Sequence, residues 1–498
     1  MSLNYNFIWL LCYLLVLVGL AGYGFHRLSI VYLYWKNRNN KPQPKARFQE
    51  LPVVTVQLPM FNEKFVVDRL LESVAALDYP QDKLEIQILD DSTDDTTEQC
   101  YRKVEELKSR GFDAICIHRT DRTGFKAGAL EAATKVAKGE FLLILDADFV
   151  PEPDLLQKTI HFFTDENVGL VQTRWGHINR EYNLLTRIQG MYLDGHFAME
   201  QTARNRSGRF FTFNGTAGIW RKCVIGDAGG WSHDTLTEDM DLSYRVQLKG
   251  WRFIYLNDVV TPAELPVDMD GFKSQQHRWT KGSIQVCQKI LLDIWRSNAP
   301  LKAKVEATTH LTCNYSYLLL ALLCFLVYPI CTQRIPENET VFMWFVNVAL
   351  FFMTSVAVCI FYMSAQIVVR PKSWWKELPY LPLLLTLSVG MAVNNAKAVL
   401  EECRAELTAE GVKMGQNIEV GTMIETPAAV LIADELAAEC DFFSIGTNDL
   451  TQYTCALDRQ NAKLEPFFNP HHPAVLRAIK MTIEAGHRHG IWVGICGE

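Results

Sequence analysis

Hydrophobic and polar positions along the chain change their period several times, and the changes outline its parts. Residues 7–25 form an uninterrupted apolar run of the length that crosses the ~30 Å hydrocarbon core of a bilayer. No basic residue precedes it, whereas Arg27, Lys36, Arg38, Lys41, Lys45 and Arg47 follow. It therefore reads as a membrane anchor with its N-terminus outside and the following region in the cytosol. From 53 to about 296, short apolar runs alternate with stretches of helical period. Strands are predicted at 53–58, 84–89, 114–117, 141–145 and 168–172, and helices at 62–76, 94–110, 125–137 and 154–163. Such alternation predicts a mostly parallel α/β sheet covered on both faces. Two further apolar runs, 311–331 and 341–369, read as spans joined by an outer loop at 332–340. Residues 378–393 are fewer, contain Pro379 and Pro382, and follow Trp374 and Trp375, which predicts a helix lying in the membrane interface.

Composition sharpens this outline. The 498 residues are 49% hydrophobic with a net charge of −7, which excludes a disordered chain and a globally basic nucleic-acid binder. From Ala396 onward 8 basic residues face 15 acidic ones, so this tail carries the whole net charge and the preceding part is neutral. That step marks a domain joint. The 13 cysteines form no CxxC pair and read as reduced thiols.

In a parallel α/β sheet, ligands sit at the carboxyl ends of the strands. Two predicted strands run into acidic pairs there: Asp90-Asp91 and Asp146-Ala147-Asp148. Each pair could equally cap a helix or line a solvated turn. With no GxxxxGK[ST] loop and no HExxH motif in the chain, an all-oxygen pair suits a hard divalent cation that holds a diphosphate. Further on, Thr237-Glu238-Asp239 and Gln275-Gln276-His277-Arg278-Trp279 add carboxylates, a planar fork for phosphate oxygens and a flat face for a sugar ring.

Taken in order, Asp90-Asp91, Asp146-x-Asp148, Thr237-Glu238-Asp239 and Gln275-x-x-Arg278-Trp279 resemble the D, DxD, TED and QxxRW signature of processive family 2 glycosyltransferases, the relatives of cellulose, hyaluronan and mannan synthases. The segments from Arg122 to Leu130 and from Phe213 to Thr216 are similar to patterns found there too. The resemblance covers residues 1 to about 400. It implies a membrane-anchored GT-A-like (Rossmann-like) domain at 48–296, after an anchor at 1–35 and before membrane helices at 305–400. It also implies inverting transfer of a sugar from a UDP- or GDP-sugar donor to a glycan or glycolipid acceptor. On this resemblance Asp148, with Asp146, would hold Mg²⁺ or Mn²⁺, and Gln275, Arg278 and Lys126 would bind the diphosphate. Asp239 would be the base, Trp279 with Phe213, Asn214, Gly215 and Thr216 would hold the acceptor, and Glu63, Asp90 and Asp91 would surround the nucleoside. The expected location is a plasma or inner membrane, or a Golgi membrane in a eukaryote, with the lipid bilayer as a partner and no nucleic acid.

After about Glu401 the wording changes. Strands are predicted at 418–424, 442–445 and 491–495 and helices at 428–439 and 474–489. The segments around Glu425, around Asn448-Asp449 and around Cys496 resemble phosphoenolpyruvate-utilising enzymes, Enzyme I of the sugar phosphotransferase system above all. That resemblance implies Mg²⁺ on Glu425 and Asp449, phosphoenolpyruvate on Asn448 and Arg459, and protonation by Cys496. A (β/α)₈ barrel takes about 250 residues, so 401–498 reads as an incomplete barrel without phosphotransfer. The gating-loop motif of the synthases, Phe-x-Val-Thr-x-Lys, is not found after 393. The chain accordingly reads as a chimera of two unrelated pieces, joined by construction, misassembly or a mispredicted gene boundary.

Overall fold

The computed structural model describes residues 5–331, 350, 352–409, 419, 421–457 and 468–496. The expected outer loop at 332–340, the first part of the span expected at 341–369, and Arg459 lie outside these residues. The chain divides into two compact units, Met1–Glu406 and Leu407–Glu498.

The first unit is built on a seven-stranded sheet in the order β3-β2-β1-β4-β6-β5-β7. Its strands are β1 (Val54–Met60), β2 (Leu84–Asp90), β3 (Asp113–His118), β4 (Phe141–Ile144), β5 (Val168–His177), β6 (Gly218–Arg221) and β7 (Arg252–Ala263). The sheet is mostly parallel as expected, but β6 enters antiparallel between β4 and β5. β2 and β4 are buried along their whole length: β4 is a continuous apolar run, whereas β2 buries Glu85 and Gln87 by bonding them to Thr55 and Gln57 of β1. The two-residue period of β4 divides the core. Phe141 and Leu143 pack with Val56, Leu58 and Leu70 on one face, and Leu142 and Ile144 pack with Leu130, Phe213 and Trp220 on the other.

Around this sheet lie long apolar helices. Tyr5–Asn37 is continuous over 33 residues. Leu301–Thr312 and Tyr315–Leu326 form a pair bent by 53°. Among the described residues three segments are long and apolar enough to cross a membrane, Trp9–Asn37, Phe352–Val369 and Trp374–Ala405, and the bent pair would make a fourth. The first helix passes so close to Phe352–Val369 that a Cβ at Gly24 would collide with the Met353 carbonyl. The helix expected at 378–393 is longer than its apolar run. Helix Leu381–Ala409 extends over 29 residues, because the stretch after Asn395 is rich in Ala, Leu and Glu, all good helix formers.

The second unit holds a three-stranded parallel sheet in the order β10-β9-β8, with β8 (Gly421–Ile424), β9 (Phe442–Gly446) and β10 (Trp492–Cys496). The expected helix at 428–439 is broken at Ile432 into Pro427–Leu431 and Ala433–Ala437, whereas Pro473–Arg488 runs unbroken. Phe443, Ile445, Val430, Leu450 and Ala485 make its small core.

Candidate active site

The acidic residues converge where β4 ends. Asp146 leaves the strand with its N–H donating to Thr216 Oγ1 at 2.8 Å, which ties it to the turn before β6. Lys126, in the first turn of helix Phe125–Val136, donates to the Asp146 carboxylate and, at 3.0 Å, to the Gly215 carbonyl. Gly215 has φ +78°, and a Cβ there would stand 3.3 Å from Asp239 Oδ2 and 3.5 Å from Lys126 Nζ. Only a glycine brings its backbone this close to both groups without strain. Asp239 lies in the first turn of helix Glu238–Leu248 and accepts from the Met240 N–H at 2.8 Å. Ser243 on this helix fixes the turn: its hydroxyl donates to the Asp239 carbonyl at 2.6 Å and accepts from the Phe213 N–H at 2.9 Å.

The charges in this cleft are strongly coupled. Burial, then Asp146 and Glu63, push the Asp148 carboxyl up to about 7. Burial, then Glu238, push Asp239 up to about 7 as well. Glu63 is raised by burial and by Asp146, Asp94 and Glu264, and Glu238 is raised mainly by burial. For Lys126, burial opposes the charge, but Asp146, Glu238 and Asp239 outweigh it and hold the ammonium above its usual range. One lysine thus faces several crowded carboxylates, and their excess negative charge is what a divalent cation would relieve. Among the described residues no group of three or more His, Cys, Asp or Glu side chains would by itself hold a metal ion. An ion at Asp146 and Asp148 would complete its shell with other oxygens, and a bare all-oxygen pair suits Mg²⁺ or Mn²⁺.

The other expected residues fall into two groups. Gln275, Arg278 and Trp279 share one face of helix Met269–Arg296, and Arg278 is near enough to Glu238 to favour its ionised form. Trp279 packs beside Leu193, Phe197 and Leu265. Asp90 and Asp91 lie at the end of β2 with their carboxylates engaged inside the protein. Asp90 accepts from the Ser92 N–H at 3.1 Å and the Thr97 hydroxyl at 2.7 Å and pairs with His118 Nδ1 at 2.7 Å. Asp91 receives Arg119 in a two-pronged pair at 2.8 and 2.5 Å. Phe213 is buried against Trp220, ring centroids 5.4 Å apart, and the Thr216 hydroxyl is taken by Asp146. These two therefore act on the site through the shape of the turn, and their side chains do not face the cleft.

Two contributors, Ser243 and His196, escaped the sequence reading, and Glu238 entered it only as part of the signature. Glu238 tunes Asp239, Ser243 anchors the turn, and His196 bridges Glu200 at 3.1 Å and Asn214 at 3.0 Å. Ser243 was findable from the signature, being one helical turn beyond Asp239. His196 sits in a π-helical stretch, Gly195–Gln201, that no periodicity announces.

In the second unit, the parallel register aligns the strand ends. Glu425 follows β8, Asn448 and Asp449 open the helix Thr447–Cys455 after β9, and Cys496 ends β10. A Cβ at Gly446 would fall 2.6 Å from Glu425 Oε1, so the glycine makes room for that carboxylate.

Comparison with known proteins separates the same two regions. Residues 52–282 match the glycosyltransferase like family 2 model. Residues 381–498 match that of the PEP-utilising enzyme, PEP-binding domain, beginning ahead of the joint expected near residue 400. The chain is 42% identical over 286 residues to glucomannan 4-beta-mannosyltransferase 2 of Arabidopsis thaliana, covering 54% of this chain and 53% of that protein. It is 41% identical over 277 residues to glucomannan 4-beta-mannosyltransferase 1 of Oryza sativa subsp. japonica, covering 55% of this chain and 53% of that protein. The chain thus spans about half the length of the curated relatives it matches. In fold it is similar to the mannosyltransferase PcManGT from Pyrobaculum calidifontis, solved with GDP-Man and Mn²⁺. The TM-score is 0.53 at 21% identity, over 72% of this chain and 99% of that one. These two matches fit the reading of the chain as a glycosyltransferase family 2 region followed by a PEP-utilising C-terminal region.

Proposed function

We propose that this chain is a membrane-embedded, metal-dependent, inverting hexosyltransferase that extends a β-glycan or glycolipid from a nucleotide-diphospho sugar. The observation that carries the reading is the meeting of Asp239, Lys126 and Gly215 with the Asp146–Asp148 pair at one strand end. In the proposed step the acceptor oxygen bonds to the anomeric carbon as the bond from that carbon to the diphosphate oxygen breaks. The acceptor's proton passes to Asp239, a transfer of the kind that contributes about 10²- to 10⁴-fold. The electron pair leaves with the diphosphate, whose growing charge Lys126 and Arg278 would meet. A divalent cation held by Asp148 and Asp146 would neutralise the same oxygens. Trp279 supplies a face for the acceptor sugar, and the apolar helices keep the site beside the bilayer, with the catalytic domain on the cytosolic side.

The mannosyltransferase names among the relatives make mannose the first sugar to test. Membranes containing the full chain would be given labelled GDP-mannose, GDP-glucose or UDP-glucose with Mn²⁺, Mg²⁺ or a chelator. Metal-dependent incorporation into polymer or lipid-extractable product from at least one donor is expected. No incorporation from any donor, with the protein folded and inserted, would overturn the proposal.

A further inference from the structure

A cavity of the first unit lies away from the carboxylate cleft. It has a volume of about 690 Å³ and opens at the far end of helix Glu238–Leu248, where Gln247 and Leu248 form part of its wall. Asp239 lies eight residues back along that helix, about 12 Å away at 1.5 Å per residue. The cavity lining includes three arginines, Arg206, Arg209 and Arg252, and no Asp or Glu. Arg252 is paired with Asp165 at 2.7 Å, and Arg206 donates to the Arg38 carbonyl at 2.5 Å while its buried Nε has no hydrogen-bond partner. Arg209 comes no nearer than 4.0 Å to Glu306, whose carboxylate is already paired with Arg204 at 2.9 Å and His26 at 3.0 Å. Arg209 thus has only a long pair with Glu306 Oε2 and shares that carboxylate with two closer cations, so its charge is partly compensated.

The position of the cavity says what kind of anion it would meet. Asn40 in its wall follows the end of the first apolar helix, and Pro300 directly precedes Leu301–Thr312, the first limb of the bent pair. Beside Pro300 stands a set of exposed apolar side chains: Leu292 (63% exposed), Trp295 (45%), Leu301 (67%) and Val305 (50%). Trp295 is laid against this limb by its Nε1–H, which donates to Thr308 at 3.0 Å. Arginines in a cavity wall whose residues 297–300 join two helices that carry exposed apolar residues and a tryptophan, next to the end of the first apolar helix, are the pattern of an interfacial headgroup site.

We infer that this cavity binds a phosphate-bearing anion presented at the membrane surface, with Arg209 and Arg206 as its phosphate ligands. The shared chemistry is a phosphate ester, supplied either by an anionic phospholipid or by a soluble phosphate. The lipid source rests on the membrane-embedded reading above; the soluble source does not.

The test uses the full chain purified in detergent, then placed in nanodiscs of phosphatidylcholine alone or mixed with phosphatidylglycerol. Retained lipid is counted by native mass spectrometry. Phosphatidylglycerol should be retained over phosphatidylcholine, and Arg209→Ala should lower that retention about tenfold, the effect of losing a charge-assisted contact. Arg209→Lys, which keeps the charge but loses the fork, should fall between them. Melting and gel filtration of each variant confirm that it is folded. A second arm titrates glycerol 1-phosphate and inorganic phosphate by calorimetry. Micromolar binding of either one to the lipid-free protein in detergent assigns the site to a soluble phosphate, and selective lipid retention without such binding assigns it to the headgroup. Equal retention by wild type and folded Arg209→Ala, with no binding of soluble phosphate, overturns the inference. Sugar transfer measured in the same discs separates that outcome from failure of the proposed function.

Discussion

Asp239 and Asp148 share an electrostatic position that shapes how the site responds to pH. Each is raised to about 7, chiefly by burial. A carboxyl raised in the folded state favours the fold in its neutral form. Its contribution to stability is therefore fully present below the unfolded value of about 3.9 and is lost as pH rises to about 7. Metal-free protein should accordingly melt at lower temperature at pH 7.5 than at pH 5.5 on account of these two groups. On the proposed function, Mn²⁺ should recover the difference at the higher pH alone, because only an ionised Asp148 would bind it; a melting series with and without the ion checks this. Catalysis runs the other way: a base must be ionised, so transfer should rise with pH through about 7 and level off. Asp239→Asn should lose at least about 10²-fold in rate while donor binding, followed by calorimetry, is kept. Asn214 is held from two sides, by Gln201 Nε2 at 2.6 Å and His196 at 3.0 Å, next to the glycine that touches Asp239. His196→Ala should free the turn and cost about 10- to 100-fold in transfer, with donor affinity and melting temperature little changed.

At the scale of elements, the strands with strong apolar runs were legible, and β6 and β7 were not. β6 is Gly-Ile-Trp-Arg, too short to show a period, and it exists because antiparallel pairing to both β4 and β5 satisfies it. β7 pairs with β5 at the sheet edge, but Asn257 and Asp258 interrupt its apolar pattern and Pro262 disguises its end. The register shift opposite Thr173 and Arg174 shows where the strand accommodates the interruption as a bulge. The signature residues could be found in the sequence because chemistry fixes their types. The turn that brings them together could not, since it depends on Ala217 and Gly215 at positive φ and on a core tryptophan far from the chemistry. Trp220 is fully buried on β6 and meets Phe213, Trp231 and Phe253 at ring-centroid distances of 5.4, 6.1 and 5.4 Å. Trp220→Ala should destabilise the first unit by about 3–5 kcal/mol, measured by urea unfolding. Because Phe213 leads directly into the turn, transfer should fall even where the variant remains folded.

At the scale of the whole molecule, the two units differ in how far their sheets are completed. The first has seven strands and two apolar faces, each covered by helices. The second has three strands among the described residues, with β8 and β10 as its edges. A closed eight-stranded barrel has no edges, and its ligands are gathered from many strand ends, so three strands supply only part of a binding ring. Glu425, Asn448, Asp449 and Cys496 lie at one end of this sheet of three described strands. Phosphoenolpyruvate with Mg²⁺ should therefore produce no binding heat with the full chain, and removal of Leu407–Glu498 should leave donor binding by the first unit unchanged. The small core of the second unit should also melt before the first, giving two transitions in scanning calorimetry of the full chain, of which the truncated chain keeps the later one. Micromolar binding of phosphoenolpyruvate to the full chain, lost on truncation, would make the second unit a working sensor and overturn the reading of it as an incomplete barrel.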